Sequence, residues 1–435
     1  MVVKQKEKTQ NVALIAWLAW GCAALFFGYQ FAQRVSPSVM TNELMASFGV
    51  RGAALGMLSS WYYYAYSFLQ VPAGSFLDRF GPRKMLMIAI SLCVVGSVLF
   101  ASSTGMYQAS LGRFFIGAGS AFGFLSCLKI GTLWFSPERL PMIVGLSLGI
   151  GTLGAVGGSA PLSKMVQAFG WENTSWILAA AGFFLLGMTL IFVKEKKSSA
   201  ETGGPQSQNY PFLEAMRIIL VKPQTWLISL YGILMYVPLA AFADMWGTKY
   251  LMDVYHMDCT DAAAMASTFY IGLGVGAPLV PLLANRWKSY RLVMALGTVV
   301  SIATFGAMLF FTSMPLGILT ANLFLLGFSL AAQVLCFSMV CNINPREISG
   351  TVGGFHNMVC MISGVIFIPL IGWILDQFEK APGVYTIEGY TMGLGAILVA
   401  MVAGLISLLW MKEAYYPVED HSASGDSKMA TEKAL

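Results

Sequence analysis

The strongest constraint on this chain is a succession of long apolar runs between short polar breaks, near residues 11–40, 54–77, 85–103, 106–134, 141–168, 174–194, 225–252, 262–284, 290–312, 315–341, 346–375 and 388–412. A helix needs about 20 predominantly apolar residues to cross a bilayer, so each run is long enough for one span. With 57% hydrophobic and 11% charged residues and a mean hydropathy of +0.69, the 435 residues carry too little polar surface for a water-soluble or disordered chain. A membrane β-barrel is excluded as well, because it reads as alternating stretches of about 10 residues rather than continuous runs. The expectation is an all-α membrane protein with twelve transmembrane helices.

The net charge of +5 resembles a nucleic-acid signal only until the basic residues are located. Of the 26 Lys and Arg, four (Arg51, Lys164, Lys249, Lys380) fall at the outer side and three (Arg34, Arg113, Lys129) lie within spans, leaving 19 on the side of the termini. Positive charge gathers on the cytoplasmic side of membrane proteins, so both termini are expected in the cytoplasm, the partner surface is lipid, and nucleic acid is not a partner. The basic residues 1–10 precede an apolar run too long for a signal-peptide core, which is expected to remain as the first span. The seven cysteines, Cys22, Cys93, Cys127, Cys259, Cys336, Cys341 and Cys360, form no CxxC pair, and His256, His356 and His421 lack metal-helix spacing. Neither a disulfide frame nor a metal is expected. No phosphate-binding loop, nucleophile elbow or His-Glu metal helix occurs either, so no cofactor and no enzyme activity is expected.

The longest internal polar stretch runs from Lys194 to Pro211 and reads as a flexible linker. The expected organisation is a cytoplasmic N-terminus 1–10, a six-helix bundle 11–194, a cytoplasmic linker 195–224, a second six-helix bundle 225–412 and a cytoplasmic tail 413–435. The halves match weakly at one offset, since Gly119, Pro137, Gly145 and Pro161 pair with Gly327, Pro345, Gly353 and Pro369, each 208 residues on. Two pseudo-symmetric bundles of this kind suit a transporter whose site lies between the repeats and opens to either side as they tilt.

The loop after the second span reads Gly74-Ser75-Phe76-Leu77-Asp78-Arg79-Phe80-Gly81-Pro82-Arg83-Lys84, which resembles the G-x-x-x-D-R-x-G-R-R signature of the major facilitator superfamily. Span 4 adds Arg113-Phe114-Phe115-Ile116-Gly117, similar to the family's R-x-x-x-G pattern, and Trp134-Phe135-Ser136-Pro137-Glu138-Arg139 resembles its W-F-x-P-x-x-R segment. Gly74 reads as a point of close helix approach. Asp78 reads as an acceptor for a basic group or a helix N-terminus, and Arg79, Gly81 and Arg83 as parts of a latch on the cytoplasmic side. The family's adjacent Gly-Pro antiporter motif is replaced by Ala160-Pro161, and the glycine-rich fifth span reads as a packing and bending face, with Pro161 in a conformational role. A closer likeness at residues 29–37, at 62–66 with Gln70, and at 242–247 is similar to lysosomal dipeptide uniporters and proteobacterial phagosomal amino-acid transporters. That resemblance implies amino acids or short peptides as cargo.

Ionisable groups inside a span are costly and mark functional candidates. In span 1, Gln30, Gln33 and Arg34 stand at i, i+3 and i+4, and Tyr29 pairs with Gln33 at i+4, so one polar face is expected, with Arg34 offering a planar fork to a carboxylate. Arg113 and Lys129 are 16 residues apart, about 24 Å along span 4 and about 160° around it, so they take different roles: Arg113 at the substrate or bonded to span 1, Lys129 at a gate. Asp244 is the clearest carboxylate in the second half, to bind an ammonium, carry a coupling proton or pair with Lys249. Tyr66 from the cluster 61–66, with Trp246 and Gln333, completes the expected lining, alongside Asn322, His356 and Asn357 as polar helix-to-helix contacts. Arg34 and Arg113 facing Asp244 suit a zwitterion. The expected function is alternating-access transport of a small carboxylate-bearing solute, with or without protons, in a bacterial inner membrane. An organic-anion transporter and a non-transporting membrane receptor on the same fold are the competing readings.

Overall fold

The computed structural model describes residues 2–136, 139–194, 212–345 and 348–414, with side chains from Leu14 onward except Asp78, Pro141 and Phe212. Most of the linker, the tail, Pro137, Glu138, Arg346, Glu347 and the carboxylate of Asp78 therefore lie outside the described residues.

In the first half, α1 (Val2–Val35), α3 (Gly52–Phe80) and α4 (Pro82–Ala101) are single spans, and α5 (Met106–Ser120) continues into α6 (Gly123–Trp134) as the fourth. The short helix α2 (Thr41–Phe48) links the first two. Helix α7 (Leu140–Gly157) and the first part of α8 (Ala160–Phe192) make the fifth span. Within α8 the chain turns at Gly170 (φ 81, ψ 163), a left-handed conformation open to glycine, and the rest of the helix is the sixth.

The second half repeats the plan after α9 (Phe212–Val221). Its seventh span comprises α10 (Pro223–Val237), a π-helical segment (Pro238–Trp246) and α11 (Gly247–Tyr255). There follow α12 (Cys259–Trp287), α13 (Tyr290–Phe310), α14 (Leu316–Leu330) with α15 (Leu335–Asn342), α16 (Ser349–Asp376), a hairpin β1 (Glu379–Ala381) and β2 (Val384–Tyr385), and α17 (Ile387–Ser407). Ten stretches are long and apolar enough to cross a membrane; Met142–Phe192, with 51 residues, holds two spans, and α3, rich in Tyr and Ser, is the remaining one. The result is a twelve-helix membrane protein.

The face from which α1 starts is the terminal face, and the opposite one is the distal face. The repeat is visible in the packing: a Cβ on Gly117 of α5 would overlap the Tyr62 carbonyl of α3, and a Cβ on Gly327 of α14 would overlap the Phe269 carbonyl of α12. Gly117 is thus the structural mate of Gly327, an offset of 210 rather than the 208 expected with Gly119. Gly119 instead packs on Ala89 and Cys93 of α4. Two glycines two residues apart cannot be told apart by pattern, because only the helix phase decides which one meets which neighbour.

The halves meet along α3 and α16, and along α7 and α8 against α12. Ser60 of α3 donates to the Gly364 carbonyl of α16 (3.1 Å), and Ser163 of α8 meets Thr260 of α12 (3.2 Å). At the distal face the seam is tied by charge. Asp376, at the end of α16, accepts from the backbone N–H groups of Gly52 (2.7 Å) and Ala53 (2.9 Å) and so caps α3 from the other half. Beside it Arg51 Nε donates to Glu379 (2.6 Å) in the hairpin, and Glu379 also accepts from Gly383 N (2.8 Å).

Candidate substrate site

The expected polar face of α1 is two faces. Gln33 Nε2 donates to the Tyr29 hydroxyl (2.7 Å) and to Ser97 of α4 (2.5 Å), and the Tyr29 hydroxyl donates to the Leu178 carbonyl of α8 (3.0 Å). These two residues face the interior of the first bundle and bind its helices together. Gln30 and Arg34 lie about 100° further round. Gln30 accepts from the Tyr62 hydroxyl (2.8 Å), whereas Arg34 points across the seam.

There Arg34 meets Asp244. Its Nε donates to Asp244 Oδ2 at 2.7 Å and its Nη2 donates to the same oxygen; both side chains are at most 3% exposed. Asp244 is held from two more directions: the Tyr63 hydroxyl of α3 donates to Oδ2, and the Tyr270 hydroxyl of α12 donates to Oδ1 (2.6 Å). The rings of Phe31, Tyr63 and Tyr236 surround the Arg34 guanidinium at 5.4–5.6 Å from their centroids. A buried ion pair survives only when further hydrogen bonds satisfy it, and the two tyrosines supply them. The arrangement follows the repeat. Tyr62 and Phe269 are mates by their glycine contacts, so the next residues, Tyr63 and Tyr270, are mates too, one donor from each half. Arg34 and Asp244 are 210 residues apart, like Gly117 and Gly327, on the first spans of their halves.

The π-helical segment is what aims Asp244. Gly247 N donates to the Phe242 carbonyl, five residues back, so the turn is one residue wider than in an α-helix and the register of the span shifts. The pairing of Asp244 with Lys249 does not form, because Lys249 Nζ bonds Asp253 one turn on (2.7 Å).

Arg113 is fully buried and points at α1: Nη1 donates to the Gln33 carbonyl (2.6 Å) and Nη2 to the Arg34 carbonyl (3.2 Å), while its guanidinium lies 5.1 Å from the Tyr62 centroid. It holds the last turn of α1, whose carbonyls have no helical partners. Arg113 is thereby a positioning residue for Arg34 in this conformation. Trp246 is a seal, its Nε1 donating to the Ile368 carbonyl (3.0 Å) where its ring packs against Gly372. Gln333 donates to Cys360 (3.4 Å) within the second bundle, where His356 meets Ser229 (3.2 Å) and Cys360 (3.6 Å). Asn322 donates to the Thr304 carbonyl (2.9 Å). Tyr66 is buried, and its ring stacks on that of Tyr62 one turn before it at 5.9 Å between centroids.

At the terminal face, Gly81 ends α3 with φ 82, Arg79 lies over the Phe80 ring at 5.4 Å, and Arg83 donates to the Leu190 carbonyl of α8 (3.1 Å). Gly74 is not a close approach: a Cβ there meets nothing within 4 Å, because no neighbouring helix covers that side of α3. Lys129 is half-buried in α6, and Pro161 stands in the first turn of α8 after the helix break at residues 158–159. A cavity of about 620 Å³ between α2 and the hairpin opens at the distal face, beside Arg51 and Lys249 and away from the ion pair.

Sequence reasoning missed Tyr63, Tyr270, Asp376 and Gly52. Tyr63 was hidden within four tyrosines of one cluster, and the repeat carried the signal: a Tyr follows the glycine-contact residue in each half.

Comparison with known proteins agrees with this architecture. A probable sulfoacetate transporter of Cupriavidus necator is 22% identical over 93% of this chain and 96% of its own length. The membrane sensor protein UhpC of Salmonella typhimurium is 24% identical over 95% of this chain and 94% of its own length. The structure of a mutant nucleoside transporter NupG superposes with a TM-score of 0.72 at 15% identity, covering 92% of this chain and 100% of that one. A sequence model of the Major Facilitator Superfamily matches residues 20–368, and with the twelve-helix fold and two matched halves the chain belongs to that superfamily of transporters.

Proposed function

We propose that this protein moves a small carboxylate-bearing solute, an amino acid or short peptide, by alternating access to the seam between its halves. The observation that carries the proposal is the buried Arg34–Asp244 pair, one charge from each half, with a tyrosine donor from each half on the carboxylate. A dry guanidinium needs an anion at all times, and a solute carboxylate fits the same planar fork that Asp244 occupies. The ammonium of a zwitterion then takes the place of Arg34 on Asp244, so no buried charge is left alone. The likeness at residues 29–37, 62–66 and 242–247 to amino-acid and dipeptide transporters supports this cargo.

A second reading, transport of an organic anion, is favoured by the relative named as a probable sulfoacetate transporter. In that case a proton must reach Asp244 as the anion takes Arg34. The excess of Lys and Arg at the terminal face supports cytoplasmic termini, and bacterial relatives support an inner membrane. Gly74, Asp78, Arg79, Gly81, Arg83 and Lys129 then form the cytoplasmic gate, with Pro161 at a hinge.

Counterflow in proteoliposomes preloaded with amino acids, dipeptides or small organic acids, with and without a pH gradient, tests both readings. Exchange of amino acids or dipeptides that is lost in Arg34→Ala and Asp244→Asn supports the zwitterion site. Exchange of organic acids alone, driven by the pH gradient, moves the assignment to an anion and proton. If no pool exchanges with folded protein, transport of these solutes is refuted and a sensor role is favoured.

A further inference from the structure

On the terminal side of the ion pair, α3 carries two buried polar atoms that have no partner among the described residues. Tyr63, Ser67 and Gln70 stand at i, i+4 and i+7, on one face of the helix. That face runs along the seam: the Tyr63 ring packs at Gly364 of α16, and the Gln70 backbone lies beside Gly354. Ser67 and Gln70 are each 6% exposed, yet Ser67 Oγ and Gln70 Oε1 have no hydrogen-bond partner among the described residues. Buried polar atoms are nearly always paired, so these two call for a partner from outside the chain, a water or a group of a ligand. An amide oxygen only accepts, so the partner missing at Gln70 is a donor.

We infer that Ser67 and Gln70 hold an N–H or O–H group at the far end of the solute whose carboxylate sits on Arg34. Seven residues along a helix are about 10 Å, which sets the distance between the two ends of the cargo. The substrate class is an amino acid whose long side chain ends in a hydrogen-bond donor, such as a hydroxyl, amide or amino group, so that its α-ammonium remains free for Asp244. A short amino acid reaches only the ion pair, and an apolar acid of full length leaves both atoms unmet. Sites built to hydrogen-bond a group reject the analogue that lacks it far more strongly than an apolar pocket rejects a missing methylene. This inference rests on the carboxylate site proposed above.

The test compares binding of 6-hydroxynorleucine and norleucine, a matched pair whose ammonium suits Asp244, to the purified protein, read by tryptophan fluorescence or thermal shift. The wild type is expected to prefer the hydroxy acid by at least about tenfold, the worth of one buried hydrogen bond to an otherwise orphaned atom. In Gln70→Leu that ratio falls toward unity, whereas Gln70→Glu, which retains the acceptor, keeps the preference. Equal affinities in the wild type, or a full preference surviving in Gln70→Leu, overturn the inference while leaving the carboxylate site standing. If neither acid binds, or if both bind and Arg34→Gln weakens neither, the carboxylate site itself fails and the inference falls with it.

Discussion

Removing the carboxylate of Asp376 should open the distal seam. In the closed arrangement Asp376 caps α3 through Gly52 N (2.7 Å) and Ala53 N (2.9 Å), and no side chain of the first half caps that helix. Loss of an N-cap carboxylate costs about 1–2 kcal/mol, and because the cap comes from the other half, that energy is lost from the closed state alone. The ratio of open to closed molecules therefore rises by about 5–30-fold. The protein carries its own reporter. Of the seven cysteines five are buried, and only Cys259 and Cys341 are half-buried. Cys259 sits at the distal seam with its thiol toward the Val39 carbonyl of the first half (3.6 Å), while Cys341 is at the end of α15, on the terminal face. A membrane-impermeant maleimide given at the distal face should thus alkylate Cys259 about 5–30-fold faster in Asp376→Ala, with Cys259→Ser as the blank. Asp376→Asn, which keeps an amide oxygen for one of the two N–H groups, should fall between. A labelling rate within twofold of wild type, in a variant with an unchanged Tm, would refute the idea that Asp376 holds the seam.

Three further outcomes follow from the same contacts. Arg34→Met and Asp244→Asn each strand a buried charge at a cost of about 3–5 kcal/mol, so the double variant should unfold in detergent at a higher temperature than either single one; a double variant below both contradicts the pairing. Arg113→Lys keeps the charge but cannot span two consecutive carbonyls, so it should lower the transport rate with little loss of folded protein, and wild-type rates would show that the fork is not needed. The N–H of Gly383 holds Glu379 below the usual carboxylate range, against its partial burial and with help from Arg51. A depressed carboxylate stabilises above its ordinary range and loses that contribution as pH falls through its lowered pKa. The Tm in detergent should therefore stay flat from neutral pH down to about pH 4 and fall below it, with a smaller fall in Glu379→Gln, which has no carboxylate there to titrate; a fall near neutral pH would point to another group.

Much of the fold was legible because a bilayer allows few solutions. Apolar runs of the right length and basic loops on one side fix the number of spans and their order, since every backbone group in lipid must be satisfied within the helix. Arg34 and Asp244 were legible for a related reason, as charges too costly to bury without purpose. The phase of each helix was not. Tyr29 and Gln33 share a sequence neighbourhood with Arg34 but face another direction, and a rotation of about 100° separates helix glue from the cross-seam ion pair. The π-helical segment shifts the phase once more between Pro238 and Trp246, and Lys249, beyond it, bonds Asp253 on its own helix rather than Asp244. The capping of α3 by Asp376 was beyond reach for a different reason. It joins positions 324 residues apart through backbone N–H groups, which leave no trace in residue type.

On the proposed reading, the pseudo-symmetry lets the ion pair serve movement as well as cohesion. Arg34 and Tyr63 belong to the first half, Asp244 and Tyr270 to the second, so a rigid tilt that parts the distal seam takes one charge and one hydroxyl each way. Asp244 keeps Tyr270, and Arg34 keeps its aromatic walls from Phe31 and Tyr63, but neither keeps a counter-charge. On the proposed reading the solute closes this gap. Its carboxylate stays with Arg34 and its cationic end, or a proton, with Asp244, so the loaded protein can tilt without exposing an unpaired charge to a dry seam. An empty protein must either re-form the pair or wait for water to enter. Exchange of solute across the membrane should then outrun net movement by the empty carrier, and neutralising both partners together should bring the two rates closer. Equal rates of exchange and net flux in the wild-type protein would remove the ion pair from the rate-limiting step.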